Sequence, residues 1–266
     1  MYIFIWLSAS STTWYKYLPS PNADSFIIPE EDKTRLKSFM AQKPTFMGFD
    51  LDPKLIEHLK NLGFKHPTNV QHDTLSPILN GRNVLIASET GNGKTLAFLV
   101  PTIQKIMNVK DSPDLKKRPW NSPLAVIASP GRELSAQIKE VAEMICSELD
   151  IKVRFVTGGN VEEKIQQGSR KPVDILVGSV GALNKMFKGK FFSPNYIDTV
   201  ILDEIDTMVD DTFKGVTSNL LAQLRKKFDQ QLIFAGATLP SNLDSQLGQV
   251  IDSENLEIIQ TNHLHR

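Results

Sequence analysis

Short runs of apolar residues alternate along this chain with longer segments in which apolar residues recur at helical spacing. Such runs, bounded by polar or turn-forming residues, are typical of buried strands, and a spacing near 3.6 is typical of helices packed on a sheet. The strand candidates are 84–87, 124–128, 152–157, 174–178, 199–202, 231–235 and 256–260. Strands that alternate with helices predict an α/β fold, a mostly parallel sheet with helices on both faces.

Two of the helical segments are well defined. Asp52 and Pro53 supply an N-cap and a first-turn proline for a short amphipathic helix that ends near Gly63. Cys146 lies beside the apolar stripe of a second helix, predicted over 132–149, and is interpreted as a core residue; a reactive thiol is the alternative. That stripe consists of Leu134, Ile138, Val141, Ala142, Ile145 and Leu149.

The first 45 residues are interpreted as a loosely ordered extension, because prolines recur there and no period is sustained. The apolar run 2–7 is far shorter than the roughly 20 residues that span a bilayer, so neither a membrane segment nor a secretory signal is expected. The segment 1–24 has only Lys16 as a basic residue, which is unlike an Arg-rich mitochondrial presequence.

The segment 108–123 is a charged insertion interrupted by prolines. Its composition predicts a solvated loop. The residues that carry this prediction are Lys110, Asp111, Pro113, Lys116, Lys117, Arg118, Pro119 and Pro123.

The composition indicates the class of protein but does not identify a binding partner. The chain of 266 residues is 41% hydrophobic and 23% charged, which is typical of soluble globular domains and unlike disordered or coiled-coil proteins. Thirty Lys and Arg balance thirty Asp and Glu, so a polyanion would have to be bound by a local arrangement of charge. Cys146 is the single cysteine, so an internal disulfide is impossible, and no Cys/His cluster has the spacing of zinc ligands.

A glycine-containing loop follows the first strand candidate and precedes an apolar helical segment. Strand, glycine loop, Gly-Lys-Thr and helix stand in the order of a phosphate-binding P-loop. Glycines there let backbone N–H groups surround a phosphate, Lys94 would reach the β- and γ-phosphates, and the Thr95 hydroxyl would ligate Mg²⁺. Ser88 stands where the general pattern has its first glycine, and a chance Gly-Lys-Thr is the alternative. The loop residues are Ser88, Glu89, Thr90, Gly91, Asn92, Gly93, Lys94 and Thr95.

Acidic residues follow the strand candidate 199–202. Three carboxylates, those of Asp203, Glu204 and Asp206, are costly at the end of a buried strand unless they hold a cation or move a proton. Asp203 is therefore the candidate Mg²⁺ ligand, and Glu204 the candidate group that orients or deprotonates an attacking water. Acids that cap a helix N-terminus are the alternative, and the P-loop elsewhere in the chain favours the catalytic interpretation.

These residues resemble the DEAD-box RNA helicases. Asp203-Glu204-Ile205-Asp206 resembles the motif that gives the family its name, with Ile in place of Ala, and 236–238 resembles its Ser-Ala-Thr motif. In the family these segments work together, so the resemblance assigns a coupling role to Asp206, Gly236, Ala237 and Thr238.

An upstream segment resembles the family's Q motif, which reads adenine. It comprises Gly63, Phe64, Pro67, Thr68, Val70 and Gln71. The Gln71 carboxamide can donate and accept at once, as recognition of the N6/N7 edge of adenine requires, and Phe64 and Thr68 are candidate nucleotide-binding residues beside it. Phe46 stands where the family has an aromatic residue that stacks on the base; a core aromatic is the alternative.

Three further segments resemble the family's RNA-binding motifs. Residues 130–135 resemble Pro-Thr-Arg-Glu-Leu-Ala, 158–159 match a glycine doublet, and 179–182 stand where Thr-Pro-Gly-Arg is usual. The departures in the last segment are Val180, which replaces the turn-fixing proline, and Ala182, which removes a basic contact. The resemblance implies contact with the sugar-phosphate backbone of RNA through Pro130, Gly131, Arg132, Gly158, Gly159, Ser179 and Gly181.

The resemblance covers 46–262 and implies one RecA-like helicase ATP-binding domain, a P-loop NTPase lobe. Residues 263–266 would begin a linker to the second RecA-like lobe, which in the family brings arginine fingers and for which no residues remain. His263 and His265 in this tail are expected to be inert rather than a metal pair.

The function expected from the resemblance is that of an ATP-dependent RNA helicase and ATP hydrolase with ATP and Mg²⁺ as cofactors. Lys94 and Glu204 would be its catalytic residues and RNA its partner. A non-catalytic single-lobe module that binds nucleotide or RNA is the alternative, and an unrelated P-loop ATPase would leave the Q motif unexplained. Glu89, 181–183 and 236–240 are most similar to a mitochondrial branch that acts in large-ribosomal-subunit assembly. This similarity implies ribosome-assembly partners and a mitochondrial location; otherwise a nuclear or cytoplasmic one is expected, and not secretion.

Overall fold

The computed structural model describes residues 44–156, 172–225, 230–239 and 256–260. Its strands are β1 (Asn83–Ala87), β2 (Ala125–Ser129), β3 (Val153–Val156), β4 (Ile175–Ser179), β5 (Thr199–Asp203), β6 (Gln231–Gly236) and β7 (Leu256–Gln260). Its helices are α1 (Pro53–Asn61), α2 (Asn69–Leu79), α3 (Lys94–Val109), α4 (Pro113–Lys116), α5 (Arg132–Cys146), α6 (Val180–Lys188), α7 (Ile205–Met208) and α8 (Lys214–Leu224), with a 3₁₀ turn at Phe46–Gly48 before them.

The strands form one seven-stranded sheet in the order β3-β4-β2-β5-β6-β1-β7. Every pairing among them is parallel. The α/β prediction is confirmed, and each run predicted as a strand is one, with its ends displaced by one residue at most. Because the strands are parallel, all the loops that follow them leave from one edge, which we call the carboxyl edge of the sheet.

The sheet is buried on both faces. Alternate strand residues enter different clusters, so that Ile127 packs with Phe98 on the face of α3 and α5, whereas Val126 packs with Leu220 on the face of α6 and α8. Burial of each large side chain contributes about 1.5–3 kcal/mol. This two-sided burial explains why the strands appear in the sequence as continuous apolar runs and not as alternating ones.

The two well-defined helices begin as predicted. The Asp52 side chain accepts a hydrogen bond from the Lys54 N–H at 2.8 Å, which caps α1. Helix α5 starts at Arg132 but ends at Cys146, before the predicted limit. The chain turns after it, and Asp150 adopts a left-handed conformation with φ 51°.

Cys146 is a core residue, as predicted. Its side chain is buried, and burial, reinforced by the nearby carboxylates of Asp174 and Glu143, raises the pKa of the thiol to about 12. A thiol held in its neutral form is a poor nucleophile.

The prediction of a solvated loop at 108–123 is wrong in part, because α3 continues to Val109, α4 lies within the segment, and Lys110 and Arg118 both bond to other parts of the fold. Arg118 has a side chain only 7% exposed and forms an ion pair with Asp174, whose other oxygen accepts a hydrogen bond from the Lys152 N–H at 2.7 Å. Asp111 and Lys116 remain exposed as expected. The insertion is therefore fixed to the start of β3 and β4.

Residues 1–43, which make up most of the predicted N-terminal extension, lie outside the described residues. The same holds for the tail with His263 and His265. In the part of the chain that the structure describes, the helices are too short or too polar to cross a membrane.

Candidate functional site

Three neighbouring strands bring the nucleotide-site candidates together at the carboxyl edge of the sheet. β6 lies between β5 and β1, with Asp203 beside Ala235 and Ala87 beside Gly236 in the register. The glycine loop follows β1, Asp203 ends β5, and Gly236 ends β6. Segments far apart in the sequence therefore share one short stretch of edge.

The glycine loop has a backbone that favours glycine at two positions. Gly91 and Gly93 have φ of 89° and 85°, in the left-handed region that side chains with a Cβ rarely adopt. A Cβ at Gly93 would also lie 2.3 Å from the Gln71 amide nitrogen. The loop thus curves tightly into the first turn of α3, whose N–H groups lack partners within the helix.

Lys94 turns back into its own loop. Its ammonium donates hydrogen bonds to the backbone carbonyls of Ser88 and Glu89, the second at 3.1 Å. The Asn92 amide donates to the Ser88 hydroxyl at 3.1 Å, and the Ser88 N–H donates to the Gly236 carbonyl at 3.1 Å. Ser88 therefore holds the loop in shape and ties it to β6, whereas Glu89 and Thr90 are exposed.

Asp203 and Glu204 have opposite environments although they are adjacent. Asp203 is buried, and desolvation raises the pKa of its carboxyl to about 6, against the opposing effects of the Glu204 N–H and the nearby Lys94 ammonium. Glu204 is exposed and adopts a left-handed conformation with φ 54° as the chain leaves β5. One carboxylate points into the site and the next stands at its surface.

Asp206 joins the segment after β5 to the segment after β6. Its carboxylate accepts hydrogen bonds from the Ala237 N–H at 3.0 Å, the Thr238 N–H at 3.2 Å and the Thr238 hydroxyl at 3.3 Å. A Cβ at Gly236 would lie 3.2 Å from the Ile205 side chain and 3.4 Å from the Asp206 carboxyl carbon, so the end of β6 packs closely on the start of α7. Of the four residues expected to act in coupling, Asp206 thus bonds directly to Ala237 and Thr238, and Gly236 precedes them in the chain.

The upstream segment packs on the glycine loop. The Thr68 side chain caps α2, and the Gln71 side-chain carbonyl accepts a hydrogen bond from the Thr68 N–H at 3.0 Å, which completes a capping box. The Gln71 amide donates to the Gly93 carbonyl at 3.1 Å, and the Thr68 hydroxyl donates to the Asn92 carbonyl at 3.0 Å. Both side chains therefore reach the loop, with one donor and one acceptor position of the Gln71 carboxamide left over.

The structure corrects the role expected of Phe46. Its ring is only 3% exposed and belongs to the core cluster on the α3 and α5 face, so the alternative of a core aromatic holds. Phe64 is half-buried against the same cluster, four residues before the Thr68 cap. Of the two rings, Phe64 alone has a surface that a base could meet.

Two of the three predicted RNA-binding segments lie side by side. β2 and β4 are neighbours, with Ser129 beside Ser179 in the register, so the loop of 130–132 and the start of α6 share the carboxyl edge. Arg132 is exposed at the first turn of α5, and Pro130, Ser179 and Gly181 are half-buried. Gly131 is exposed beside Arg132. Gly158 and Gly159 lie outside the described residues.

Sequence reasoning missed the residues that shape the first of these loops. The hydroxyls of Ser129 and Ser135 lie 2.5 Å apart, and the Gly131 carbonyl oxygen lies 3.1 Å from the first and 2.8 Å from the second. With one proton each, the two hydroxyls form two of these three hydrogen bonds at a time. Ser135 is a small polar residue on the buried side of a predicted helix, and that position was the available signal.

Comparison with known proteins decides the family. Residues 68–245 match the DEAD/DEAH box helicase family, which is well over half of the chain. The chain belongs to this family. Its DEAD-box segment is the one that carries Asp203 and Glu204.

Individual DEAD-box relatives agree. The chain is 32% identical over 241 residues to the probable ATP-dependent RNA helicase DDX28 of Mus musculus, covering 85% of this chain and 44% of the relative. It is 33% identical over 211 residues to the mitochondrial ATP-dependent RNA helicase cyt-19 of Neurospora crassa, covering 75% of this chain and 33% of the relative. The chain thus spans less than half the length of these relatives.

A solved structure has the same fold. A DEAD box protein from Methanococcus jannaschii matches with a TM-score of 0.70 and 24% identity, over 82% of this chain and 56% of that one. At this identity the match confirms the RecA-like fold class and carries no argument about the site.

Proposed function

We propose that this chain is the ATP-binding RecA-like lobe of an ATP-dependent DEAD-box RNA helicase. Its role is to couple ATP binding and hydrolysis to RNA binding and duplex remodelling. The observation that carries the proposal is the meeting of three segments at β5, β6 and β1, where Asp206 bonds directly to Ala237 and Thr238. The names of the relatives favour this reading over a non-catalytic single-lobe module.

The residues of the glycine loop fit the phosphates of a nucleoside triphosphate. Gly91 and Gly93 permit a concave backbone, and the first turn of α3 directs N–H groups into it. Lys94 now bonds to carbonyls of its own loop, so its ammonium is already positioned over the concave side. These groups bind the phosphates, and Ser88, Glu89, Thr90 and Asn92 complete the loop.

The site also fits Mg²⁺, which would supply charge neutralisation at the β- and γ-phosphates. Thr95 lies in the first turn of α3, and Asp203 presents a buried carboxylate near Lys94. Hard oxygen donors of this kind suit Mg²⁺, which retains several waters. Among the described residues no three His, Cys, Asp or Glu side chains converge, so water and phosphate oxygens would provide the remaining ligands. Glu204, exposed at the surface of the site, orients or deprotonates the attacking water.

The adenine base is assigned to Gln71 and Phe64. The remaining donor and acceptor of the Gln71 carboxamide match the N7 and N6 positions of adenine. The same carboxamide also donates a hydrogen bond to the Gly93 carbonyl. Gln71 would therefore bind the base and stabilise the glycine loop at the same time. Thr68 supports both by capping α2.

RNA is assigned to the ends of β2 and β4. Arg132, Gly131 and Ser179 present a guanidinium, a backbone amide and a hydroxyl, which bind sugar-phosphate without reading bases. We further propose that a second RecA-like lobe completes the enzyme, that the protein acts in mitochondria, and that its partners are ribosome-assembly factors. The similarity to DDX28 and to cyt-19, named as mitochondrial, supports the location.

Titration with a fluorescent ATP analogue tests the nucleotide assignment. Wild-type chain should bind it with a requirement for Mg²⁺, and Lys94→Ala should lose binding. Lys54→Ala, which removes an exposed lysine from α1, is the matched control and should bind normally. Equal binding by Lys94→Ala and wild type would refute the assignment of the loop.

A further inference from the structure

Helices α6 and α8 end at the same edge of the molecule. Each follows a strand of the parallel sheet and runs back along one face, so their carboxyl ends lie at the amino edge, opposite the nucleotide site. The two helices pack against each other, and the Gln223 amide of α8 hydrogen-bonds to the Asn184 side chain of α6. Residues at the carboxyl ends of α6 and α8 therefore lie close together.

The surface at these ends is basic without any acidic counterpart on the two helices. Residues 175–197 contain Lys185, Lys188 and Lys190 and no Asp or Glu. Arg225 follows the carboxyl end of α8, which contains no Asp or Glu and whose own basic residue, Lys214, lies at its amino end. Lys185, Lys188 and Lys190 are exposed, and within the described residues none of them forms an ion pair. In a chain of zero net charge, this is a marked local excess of positive charge.

A cavity of about 410 Å³ opens within this surface. Phe187, Phe192 and Pro194 give it an apolar floor. Its polar lining includes Lys190, Asn195 and Gln223. An apolar cavity with a few convergent polar groups is the general form of a small-ligand site, and its volume lies in the usual range.

Helix stability does not account for all of these features. Lys185 and Lys188 stand in the last turn of α6, where cations favour the helix dipole. Lys190 lies beyond the helix, and its φ of 58° is a left-handed conformation that is costly for a lysine. That conformation places Lys190 among the residues that line the cavity.

We propose that this surface, which we call the α6/α8 basic cavity, binds single-stranded RNA. It lies outside the RNA face assigned to the carboxyl edge of the sheet. One base enters the cavity over its apolar floor, Asn195 and Gln223 meet the base edge, and Lys188, Lys190 and Arg225 bind the flanking phosphates. A positively charged groove that follows the backbone is a general means of holding single strands, and the buried Phe187 and Phe192 rings bound the cavity without stacking on the base. The inference rests on the proposed function, because it extends RNA binding from a lobe assigned to RNA.

Continuity along α6 favours RNA over an acidic peptide as the occupant. The helix begins beside Ser179 and Gly181, at the assigned RNA face, and its nine residues span about 13 Å at 1.5 Å per residue. An RNA segment longer than a few nucleotides can thus contact both ends of one helix. The basic residues at the carboxyl end of α6 therefore extend the RNA contact that begins at its amino end.

The test is RNA binding by the full 266-residue chain, measured by anisotropy of a fluorescein-labelled oligouridine. The double variant Lys188→Glu/Lys190→Glu should bind about tenfold more weakly at low salt, and its salt slope should fall by about 1.4 because each single-strand phosphate contact contributes about 0.7. Asn195→Trp, at an exposed position, should fill the cavity and weaken binding without a change in net charge. Lys54→Glu/Lys60→Glu makes the same charge change on α1 and should bind as wild type.

Three outcomes would overturn the inference: wild-type affinity of the double variant, equal loss in the α1 control, or no RNA binding by any version. If the double variant instead lost binding to polyglutamate while RNA binding stayed intact, the surface would be a site for an acidic protein. Titration of the same variants with fluorescent ATP keeps the nucleotide assignment separate, since none of these residues touches the glycine loop. Arg132→Ala in the same assay reports on the carboxyl-edge RNA face independently.

Discussion

The Asp206 carboxylate accepts hydrogen bonds from both the backbone N–H and the hydroxyl of Thr238, at 3.2 Å and 3.3 Å. Asp206 stands three residues after Asp203, the last residue of β5, and Thr238 two residues after the last residue of β6. A change at the buried Asp203 carboxylate, the proposed Mg²⁺ ligand, therefore has a short path to the segment that leaves β6.

Replacement of Asp206 by Ala should loosen that segment. Three hydrogen bonds are lost, at least two of them to exposed backbone that water can satisfy, so we expect the free energy of unfolding to fall by about 1–2 kcal/mol. Amide hydrogen exchange at Ala237 and Thr238 should become faster, with nucleotide affinity nearly unchanged. Thr238→Val, which removes only the hydroxyl bond, should show a smaller effect. Unchanged exchange in Asp206→Ala would mean that the bond does not restrain the segment.

Gln71→Ala should lower the affinity for ATP more than the affinity for GTP. The variant removes the group assigned to the adenine edge, and one specific hydrogen bond is worth about 1–3 kcal/mol when its partner is left unpaired. Some loss for both nucleotides is expected as well, because Gln71 also holds the Gly93 carbonyl. Competition titrations with both nucleotides measure the ratio. Equal losses would make Gln71 a structural residue of the loop alone, and Thr68→Val controls for the loss of helix capping.

Glu204→Gln should retain nucleotide binding and lose hydrolysis. The side chain is exposed at the surface of the site, so the amide replaces the carboxylate without strain, yet it is a far weaker base. Binding is read from fluorescent ATP and hydrolysis from phosphate release. A variant that failed to bind would contradict the division of roles between Glu204 and Asp203.

Arg118→Ala should destabilise the fold by about 3–5 kcal/mol, because it leaves the Asp174 carboxylate buried without its cation. Chemical denaturation measures the change. Lys116→Ala removes an exposed neighbour whose ammonium lies 3.9 Å from Asp111, and it should shift stability by less than about 0.5 kcal/mol. Similar small shifts in both variants would show that the insertion does not stabilise β3 and β4.

Cys146 should be protected from thiol reagents until the protein unfolds. Burial raises the pKa of its thiol from 9.0 to about 12, so the folded state keeps a proton that the unfolded chain loses. The corresponding stability is complete below pH 9 and is lost as the pH rises toward 12. Labelling with a disulfide reagent, with and without denaturant, measures protection, and Cys146→Ala should lack this part of the pH dependence. Rapid labelling of the native protein at neutral pH would contradict burial.

The sheet could be predicted from the sequence because burial on both faces leaves an unambiguous signal. The interiors of β2, β4 and β5 contain no polar side chain, and each strand ends at a polar residue where the chain leaves the sheet. The candidate site was predictable for the same reason: parallel strands place Ser88, Asp203 and Gly236 at one edge whatever their separation in the chain.

The contacts between segments were not predictable in this way. Arg118 looks like a loop residue, and only the fold brings Asp174 to it from 56 positions away. Phe46 could equally have been a base-stacking or a core ring until the packing of the 3₁₀ turn was known. The α6/α8 basic cavity depends on two helices that run in the same direction, which no local pattern reveals.

The order of strands also bears on how such a chain diverges. Parallel strands lie about 4.8 Å apart, so the end of β4 is separated from the end of β1 by four spacings, about 19 Å. Sites at this distance with no shared partners respond to substitution additively. Val180 and Ala182, at the β4 end, can therefore be substituted without any compensating change in the glycine loop, so that the proposed RNA face and the proposed nucleotide site can diverge independently of each other.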